Sequence, residues 1–167
     1  NIIYVISMPL KQSTPIKRSK EDIRKQFNIR NDLPVITMVG GRYGSKYLYD
    51  ALLGISGNRE YNLIVIEGGN TSIENKFKRV AKKAESNVTD NVYFVKSATE
   101  MERAYYISDC VISAPTAAIT YEALLRKIPL LLIASANNVE TKNSKFLVAG
   151  GYAHSAINKE RLEKALS

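Results

Sequence analysis

Cysteine and histidine are nearly absent from the 167-residue sequence, which contains one of each. A single cysteine, Cys110, excludes an internal disulfide and a cysteine-based zinc cluster, and a single histidine, His154, excludes most histidine-rich metal sites. Long apolar runs are missing too. The longest, residues 128–134, is far shorter than the ~20 residues that cross a bilayer, and residues 1–9 lack a signal-peptide layout. These absences predict a soluble, cytoplasmic protein and leave few residues that could bind a metal ion.

Basic residues outnumber acidic ones, 24 to 16, so the formal net charge is +8 at neutral pH. This surplus favours an anionic partner such as a nucleotide phosphate, an anionic lipid or a nucleic acid, although it is also compatible with a protein that is merely soluble. One predicted helix, residues 71–84, carries a basic face, formed by Lys76, Lys78, Arg79, Lys82 and Lys83. Lysines on such a face are most often simply solvated, and contact with phosphate or membrane is the alternative.

Neither an internal repeat nor a Gly/Ser linker divides the sequence, and its composition, 45% hydrophobic and 24% charged, is ordinary for one globular domain. The chain opens with IIYVIS, a β-prone run with no turn residues before it, followed by the turn-like MPLKQSTP. We therefore expect residues 1–18 to be a strand and linker from a preceding domain, and residues 19–167 to be the domain itself.

From Ser19 onward, short helical patterns alternate with nearly uninterrupted apolar runs. Continuous apolar runs indicate strands that are buried on both faces, as in a parallel sheet covered by helices. The alternation predicts an α/β fold, a Rossmann-like doubly wound parallel sheet. The predicted strands are residues 34–41, 61–69, 91–96, 109–114 and 129–134. The predicted helices begin with one capped by Ser19 and continue at 46–55, 71–84, 98–107, 118–127, 140–149 and 158–166.

Loops at the carboxyl ends of such strands form the ligand crevice. The first such loop, GGRYGS at residues 40–45, joins a buried strand to a helix. This context favours phosphate binding, because small residues let the backbone approach an anion closely and the helix offers unpaired N–H groups. It matches neither the GxGxxG nor the GxxxxGK[ST] fingerprint, so a plain turn is the alternative. EGGN after the second strand indicates no chemistry, whereas backbone groups at Val95 and Lys96 could face a planar base.

The fourth loop, residues 113–118, is small and polar and precedes a helix that carries Glu122 on its first turns. A carboxylate beside the crevice can accept two hydrogen bonds from a ribose diol; alternatively, it only favours the positive end of the helix. Elsewhere, we expect Cys110 in the core and His154 at the surface. The ten tyrosines are expected mostly in helix packing, with Tyr43 able to stack on a ligand.

Three segments, in this order, resemble one family: GGxxGS at residues 40–45, VKSATEMERAYYISDCVIS at 95–113, and a small-residue loop followed by TYEALLRKIPLLLI at 120–133. They are similar to the carboxyl-terminal domain of MurG-like glycosyltransferases with the GT-B fold, and the similarity reaches Gly150 and Gly151. The resemblance implies a domain that binds a UDP-sugar donor as substrate, without a metal or another cofactor, while a separate amino-terminal domain or partner subunit holds the acceptor. It implies cell-envelope glycan or glycolipid synthesis and no nucleic-acid partner. With a glycolipid acceptor, the surplus lysines would have a purpose, peripheral contact with an anionic membrane.

The resemblance also implies a contact for each part of the donor, while no residue is identified as catalytic. The implied contacts are Gly40, Gly41, Gly44 and Ser45 near the diphosphate or the interdomain cleft, Val95 and Lys96 at uracil, Pro115, Thr116, Ala117 and Ala118 around the diphosphate, Glu122 on the ribose hydroxyls, and Asn137 and Asn138 nearest the sugar.

Two segments depart from the family pattern. The fourth loop reads APTAA where relatives usually carry glycine, and SANNVETKN stands where relatives commonly show an Asp or Gln pair, so the identity of the sugar stays open. ISAPTAAITYEAL resembles about as closely the ISxGGxTxYE loop of MurG-like hydrolases that release a sugar from UDP in nonulosonic acid synthesis. A UDP-sugar hydrolase, and a non-catalytic nucleotide-sugar-binding subunit of a membrane-bound partner, are therefore the alternatives.

Overall fold

The computed structural model describes residues 16–40, 46–67, 72–83, 91–95, 97–133, 138–156 and 164–166, so most of the predicted linker lies outside the described residues. The helices are α1 (Lys20–Gln26), α2 (Lys46–Ile55), α3 (Ser72–Lys83), α4 (Ala98–Ile107), α5 (Ala117–Leu125) and α6 (Asn138–Ala149). The strands are β1 (Val35–Val39), β2 (Asn62–Ile66), β3 (Val92–Phe94), β4 (Cys110–Ser113), β5 (Leu130–Leu132) and β6 (His154–Ser155). Residues 164–166 form one further helical turn.

All six strands join one parallel sheet, in the order β3-β2-β1-β4-β5-β6. β1 and β2 are buried at every residue, which explains why their sequences are continuously apolar and do not alternate. The order extends outward from β1 in both directions, as in a dinucleotide-binding sheet. The prediction of a Rossmann-like, doubly wound α/β fold is confirmed.

Helices cover both faces of this sheet and create two hydrophobic cores. On one face, α2 and α3 bury Leu52 and Phe77 against the strands. On the other face, α1, α4, α5 and α6 pack together, with Ile23, Ile107 and Leu147 among their buried side chains. Burying each such side chain stabilises the fold by roughly 1.5–3 kcal/mol. The sheet is therefore stabilised by helices packed on both of its faces.

The sixth strand is absent from the sequence prediction. β6 has only two residues, His154 and Ser155, and pairs with Leu131 and Leu132 of β5. Neither residue has the apolar, β-branched character that marks a strand. Gly151, with φ of +72°, ends the preceding α6 and directs the chain back to the sheet. His154 is exposed, as predicted.

Candidate functional site

The candidate site lies at the carboxyl edge of the sheet, between β1 and β4. The chain leaves β1 toward β2 on one side and, after β3, crosses back to β4 on the other. Val39 and Ser113, the last residues of these two strands, are paired directly, so the loops after them start side by side. Open α/β sheets form their ligand crevice at such a switch point. Two predicted groups, Gly40 and residues 115–118, are thereby brought together.

The loop after β4 is held by hydrogen bonds to its own carbonyl groups. Ser113 Oγ donates to the Ala114 carbonyl at 2.9 Å, and the Thr116 N–H donates to the same oxygen at 2.7 Å. From α6, Asn143 Nδ2 donates to the Pro115 carbonyl at 3.2 Å. Asn143 is not among the predicted site residues, because no sequence pattern signals a bond to a backbone carbonyl 28 residues away.

Thr116 is the N-cap residue of α5, but its side chain makes no capping hydrogen bond. Its Oγ1 atom is buried, and no described residue forms a hydrogen bond with it. Leaving a buried hydroxyl without a partner costs about 1–3 kcal/mol. The loop therefore contains a buried hydroxyl, at the start of α5, whose hydrogen-bonding capacity the described residues do not use.

Acidic residues distinguish the helix N-termini that follow the strands. The first turns of α3, α4 and α6 carry Glu74, Glu100 and Glu140, which already interact with the positive ends of these helices. The first turns of α2 and α5 carry no acidic residue. These are the two helices that follow β1 and β4, so the N-termini free of carboxylates are those that flank the switch point.

At the end of β2, a carboxylate of the protein itself occupies the N-terminus of α3. Glu67 is buried, and its Oε1 accepts a hydrogen bond from the backbone N–H of Glu74 in α3. The Glu74 carboxylate pairs in turn with Lys78 Nζ at 2.7 Å. The protein therefore supplies its own anion at the start of α3. The other three residues of the EGGN segment, 68–70, lie outside the described residues.

Gly40 is needed for the close packing of α2 against the end of β1. Its N–H donates to the Ile66 carbonyl at 2.7 Å, which extends the pairing with β2. A Cβ atom built on Gly40 would lie 2.9 Å from Cδ2 of Leu48, a buried residue of α2. The glycine thus sets the distance between β1 and the helix that flanks the crevice. Gly41, Gly44 and Ser45 lie outside the described residues.

Val95 lies at the far end of the crevice, after the edge strand β3. Its N–H donates to the Val65 carbonyl at 2.9 Å, so of its two backbone groups only the carbonyl could serve a base. β3 is three strands from β4, a separation of about 14 Å at the usual strand spacing. A nucleotide with its base at Val95 and its diphosphate at α5 would have to lie extended across the edge. Lys96 is outside the described residues.

Glu122 lies on α5, partly buried, beside Tyr105 of α4. Burial raises the pKa of Tyr105, and the nearby Glu122 charge raises it further. Arg126, one turn after Glu122, lies 5.0 Å from the Tyr105 ring centroid and pairs with Glu102 Oε2 at 2.8 Å. Glu122 is five residues beyond the start of α5, about 7.5 Å along the axis. Its carboxylate would therefore have to point toward the loop to reach a ribose placed between Val95 and Thr116.

Asn138 is the exposed first residue of α6, near the same edge, while Asn137 lies outside the described residues.

Burial raises the pKa of the Cys110 thiol to about 11, so the thiol is protonated at neutral pH and is not a nucleophile. Within the described residues, no group of three His, Cys, Asp or Glu side chains could hold a metal ion. None of the helices in these ranges has the length and apolar character of a membrane span.

Comparisons with known proteins place these observations in context. No protein-family model matches the chain. It is 24% identical over 177 residues to the chloroplastic monogalactosyldiacylglycerol synthase of Spinacia oleracea, which covers 99% of this chain and 32% of that protein. It is 23% identical over 166 residues to the UDP-N-acetylglucosamine--N-acetylmuramyl-(pentapeptide) pyrophosphoryl-undecaprenol N-acetylglucosamine transferase of Thermoanaerobacter sp. (strain X514), covering 95% of this chain and 44% of that protein.

Solved structures share this fold. WaaG, a glycosyltransferase involved in lipopolysaccharide biosynthesis, superposes with a TM-score of 0.65 at 18% identity, over 91% of this chain and 42% of WaaG. MurG from Acinetobacter baumannii gives a TM-score of 0.61 at 19% identity, over 89% of this chain and 44% of that structure. The chain has the fold of the GT-B carboxyl-terminal domain. The predicted resemblance to MurG-like glycosyltransferases is confirmed.

The GT-B half-fold also occurs in nucleotide-sugar enzymes that are not transferases. UDP-GlcNAc 2-epimerase from Neisseria meningitidis, bound to UDP-GlcNAc, superposes with a TM-score of 0.60 at 14% identity, over 88% of this chain and 38% of that one. The chain therefore spans less than half the length of each relative and structural neighbour described above.

Proposed function

We propose that the chain is the donor-binding half of a glycosyltransferase and that it holds the diphosphate of a UDP-sugar at the switch point between β1 and β4. The observation that carries this proposal is the N-terminus of α5, where the buried Thr116 hydroxyl has no hydrogen-bond partner among the described residues. The start of α5 also lacks the acidic residue that the starts of α3, α4 and α6 possess. An anion is the ligand that satisfies both features.

The same arrangement suits the departure of a nucleoside diphosphate from the transferred sugar. Negative charge develops on the diphosphate as the bond to the sugar breaks, and the first N–H groups of α5, its positive end and the Thr116 hydroxyl would stabilise that charge. A metal ion is not required for this role. In this proposal the acceptor and the base that deprotonates it come from a separate amino-terminal domain or a partner subunit.

The names of the relatives support the choice of donor and acceptor class. One relative is a UDP-N-acetylglucosamine-dependent transferase whose acceptor is linked to undecaprenol, and another synthesises a galactosyl diacylglycerol. One name describes transfer to an undecaprenol-linked acceptor, and the other describes the synthesis of a glycolipid. By this analogy the donor here is a UDP-sugar, the acceptor is a glycolipid or a cell-envelope precursor, and the enzyme works at a membrane surface.

Thermal denaturation with UDP, UDP-sugars, dTDP and ADP tests the donor assignment. A ligand at ~100 times its dissociation constant stabilises the folded state by about 2.7 kcal/mol, which raises the Tm by roughly 5–11 °C for a domain of this size. We expect uracil nucleotides to give this shift with or without EDTA. The absence of a shift with every nucleotide would contradict the proposal, and a shift that EDTA removes would contradict a metal-free site. Release of UDP from a UDP-sugar without any acceptor would instead favour the hydrolase.

A further inference from the structure

The outer face of α6 carries the most exposed large apolar side chains among the described residues. Phe146 is 71% exposed and Val139 is 65% exposed, whereas Leu147, about 100° around the helix from Phe146, is buried in the core. Val139 and Phe146 are seven residues apart, two helical turns, so they lie on one side of the helix. Exposing a phenylalanine ring to water is unfavourable, and an apolar surface of this kind commonly marks an interaction site.

Two lysines lie on the same outer face. Lys142 and Lys145 are exposed and, by helical geometry, share an arc of about 120° with Val139 and Phe146. Glu140, the acidic residue of α6, is partly buried and lies outside this arc. The α6 face, defined as Val139, Lys142, Lys145 and Phe146, is therefore both apolar and positively charged. A helix with this combination suits the surface of an anionic bilayer, where apolar side chains enter the headgroup region and lysines contact phosphate.

The lysine-rich face of α3 is the competing surface, but it lacks the apolar component. Lys76, Lys78 and Lys82 are exposed there, and Val80, which is 40% exposed, is the one large apolar side chain beside them. In addition, Lys76 lies 4.1 Å from the ring centroid of Tyr49, and Lys78 pairs with Glu74. Two of its cations are therefore already engaged within the protein.

We propose that the α6 face docks the chain on an anionic lipid bilayer, with Phe146 and Val139 in the headgroup region and the two lysines on lipid phosphates. The proposal names the surface that meets the membrane, and it goes beyond the donor site. It depends on the proposed function only for its biological purpose, since vesicle binding is measured without nucleotide.

The absence of tryptophan from the sequence allows a direct test. Phe146→Trp places a single indole on the α6 face, and Leu53→Trp places one at a residue of α2 that is 39% exposed, on the other face of the sheet. We expect vesicles of phosphatidylglycerol mixed equally with phosphatidylcholine to shift the emission of Phe146→Trp to shorter wavelength. Vesicles of phosphatidylcholine alone should give a much smaller shift, and Leu53→Trp should not respond. Equal responses from the two tryptophans, or none, would overturn the proposal.

Cosedimentation with the same vesicles tests whether the lysines of the α6 face are the basic residues that contact lipid. Each lysine near an anionic surface is worth about a fivefold change in partitioning, so Lys142→Ala combined with Lys145→Ala should lower vesicle binding on the order of 25-fold. Arg79→Ala combined with Lys82→Ala removes the same charge from α3 and should have little effect. A larger loss from the α3 pair would overturn the assignment.

Sedimentation of Phe146→Ser without lipid separates membrane docking from self-association. If this variant changes the oligomeric state in lipid-free buffer, the α6 face binds a second copy of the chain and the membrane proposal is wrong. The nucleotide-induced Tm shift of Phe146→Ser should equal that of the parent chain, so failure of the membrane proposal and failure of the donor proposal can be distinguished.

Discussion

Replacing Thr116 by valine should stabilise the free protein and weaken nucleotide binding. Valine keeps the branched shape of threonine and removes a buried hydroxyl that makes neither a capping bond nor any other hydrogen bond with the described residues. Relief of an unsatisfied buried hydroxyl is worth about 1–3 kcal/mol, which corresponds to a rise in Tm of roughly 2–12 °C. A hydrogen bond from the same hydroxyl to a charged phosphate is worth about 1.5–3 kcal/mol, so the Kd for UDP should rise by roughly 10- to 150-fold.

Thr120, one turn later in α5, provides a matched control. Thr120 is buried, whereas Thr116 is partly buried with its Oγ1 inaccessible. Unlike Thr116, Thr120 uses its hydroxyl, because its Oγ1 donates to the Thr116 carbonyl at 2.8 Å and to the Ala117 carbonyl at 3.1 Å. Thr120→Val should therefore lower the free energy of unfolding by about 1 kcal/mol and leave UDP affinity unchanged. Calorimetric unfolding and UDP titration of both variants give the comparison. The reasoning is refuted if Thr116→Val lowers the Tm while UDP binds as before, because the hydroxyl would then have a structural role.

The other predictions concern the ribose, the packing of the crevice and the pH dependence of stability. Glu122→Gln should weaken UDP binding by roughly 10- to 150-fold and 2′-deoxy-UDP binding by clearly less, because the deoxy ligand keeps only one of the two ribose hydroxyls. Equal losses in calorimetric titrations of the two ligands would argue against a contact with the ribose diol. Gly40→Ala should lower the free energy of unfolding by about 1–3 kcal/mol, since its Cβ would press on a buried leucine. As a control, Gly57→Ala adds a Cβ that meets nothing within 4 Å, and it should change the free energy of unfolding by under about 0.5 kcal/mol. Urea titrations measure both variants. Because the pKa of Tyr105 is raised in the folded state, its phenol stays protonated there at pH values at which the unfolded chain ionises. The contribution of this phenol to the free energy of unfolding is therefore complete below about pH 10 and is lost above it. Stability should then fall by up to about 1.4 kcal/mol per pH unit, and urea titrations at alkaline pH should show a shallower fall for Tyr105→Phe but not for the exposed Tyr106→Phe.

The strands and helices could be predicted because each is a local pattern. The runs around Val35–Val39 and Asn62–Ile66 are continuously apolar, and burial on both faces is the physical cause of that pattern. The cap at Ser19 was recognisable because its hydroxyl accepts from the N–H of Asp22, three residues later. The His154–Ser155 strand could not be predicted, because its pairing depends on the neighbouring β5 and not on its own side chains.

The candidate site was predictable only in part. The loop at residues 113–118 could be located because it follows an apolar run. Its position beside Gly40 comes from the fold, in which Val39 pairs with Ser113. The state of each polar group was not predictable, since it depends on partners distant in sequence. Asn143 reaches the Pro115 carbonyl from another helix, and Glu67 caps α3 across a loop. Thr116 reads in the sequence as an ordinary N-cap, and only the structure shows that its hydroxyl is unused.

The sheet tapers toward both of its edges. β1 and β2 have five residues each, whereas the edge strands β3 and β6 have three and two. A short edge strand exposes few unpaired N–H and C=O groups, so it offers a poor template for adding a strand from another molecule. The outline of the sheet thus protects the domain from edge-to-edge aggregation, and contacts with other proteins or with membranes are left to its helices and loops.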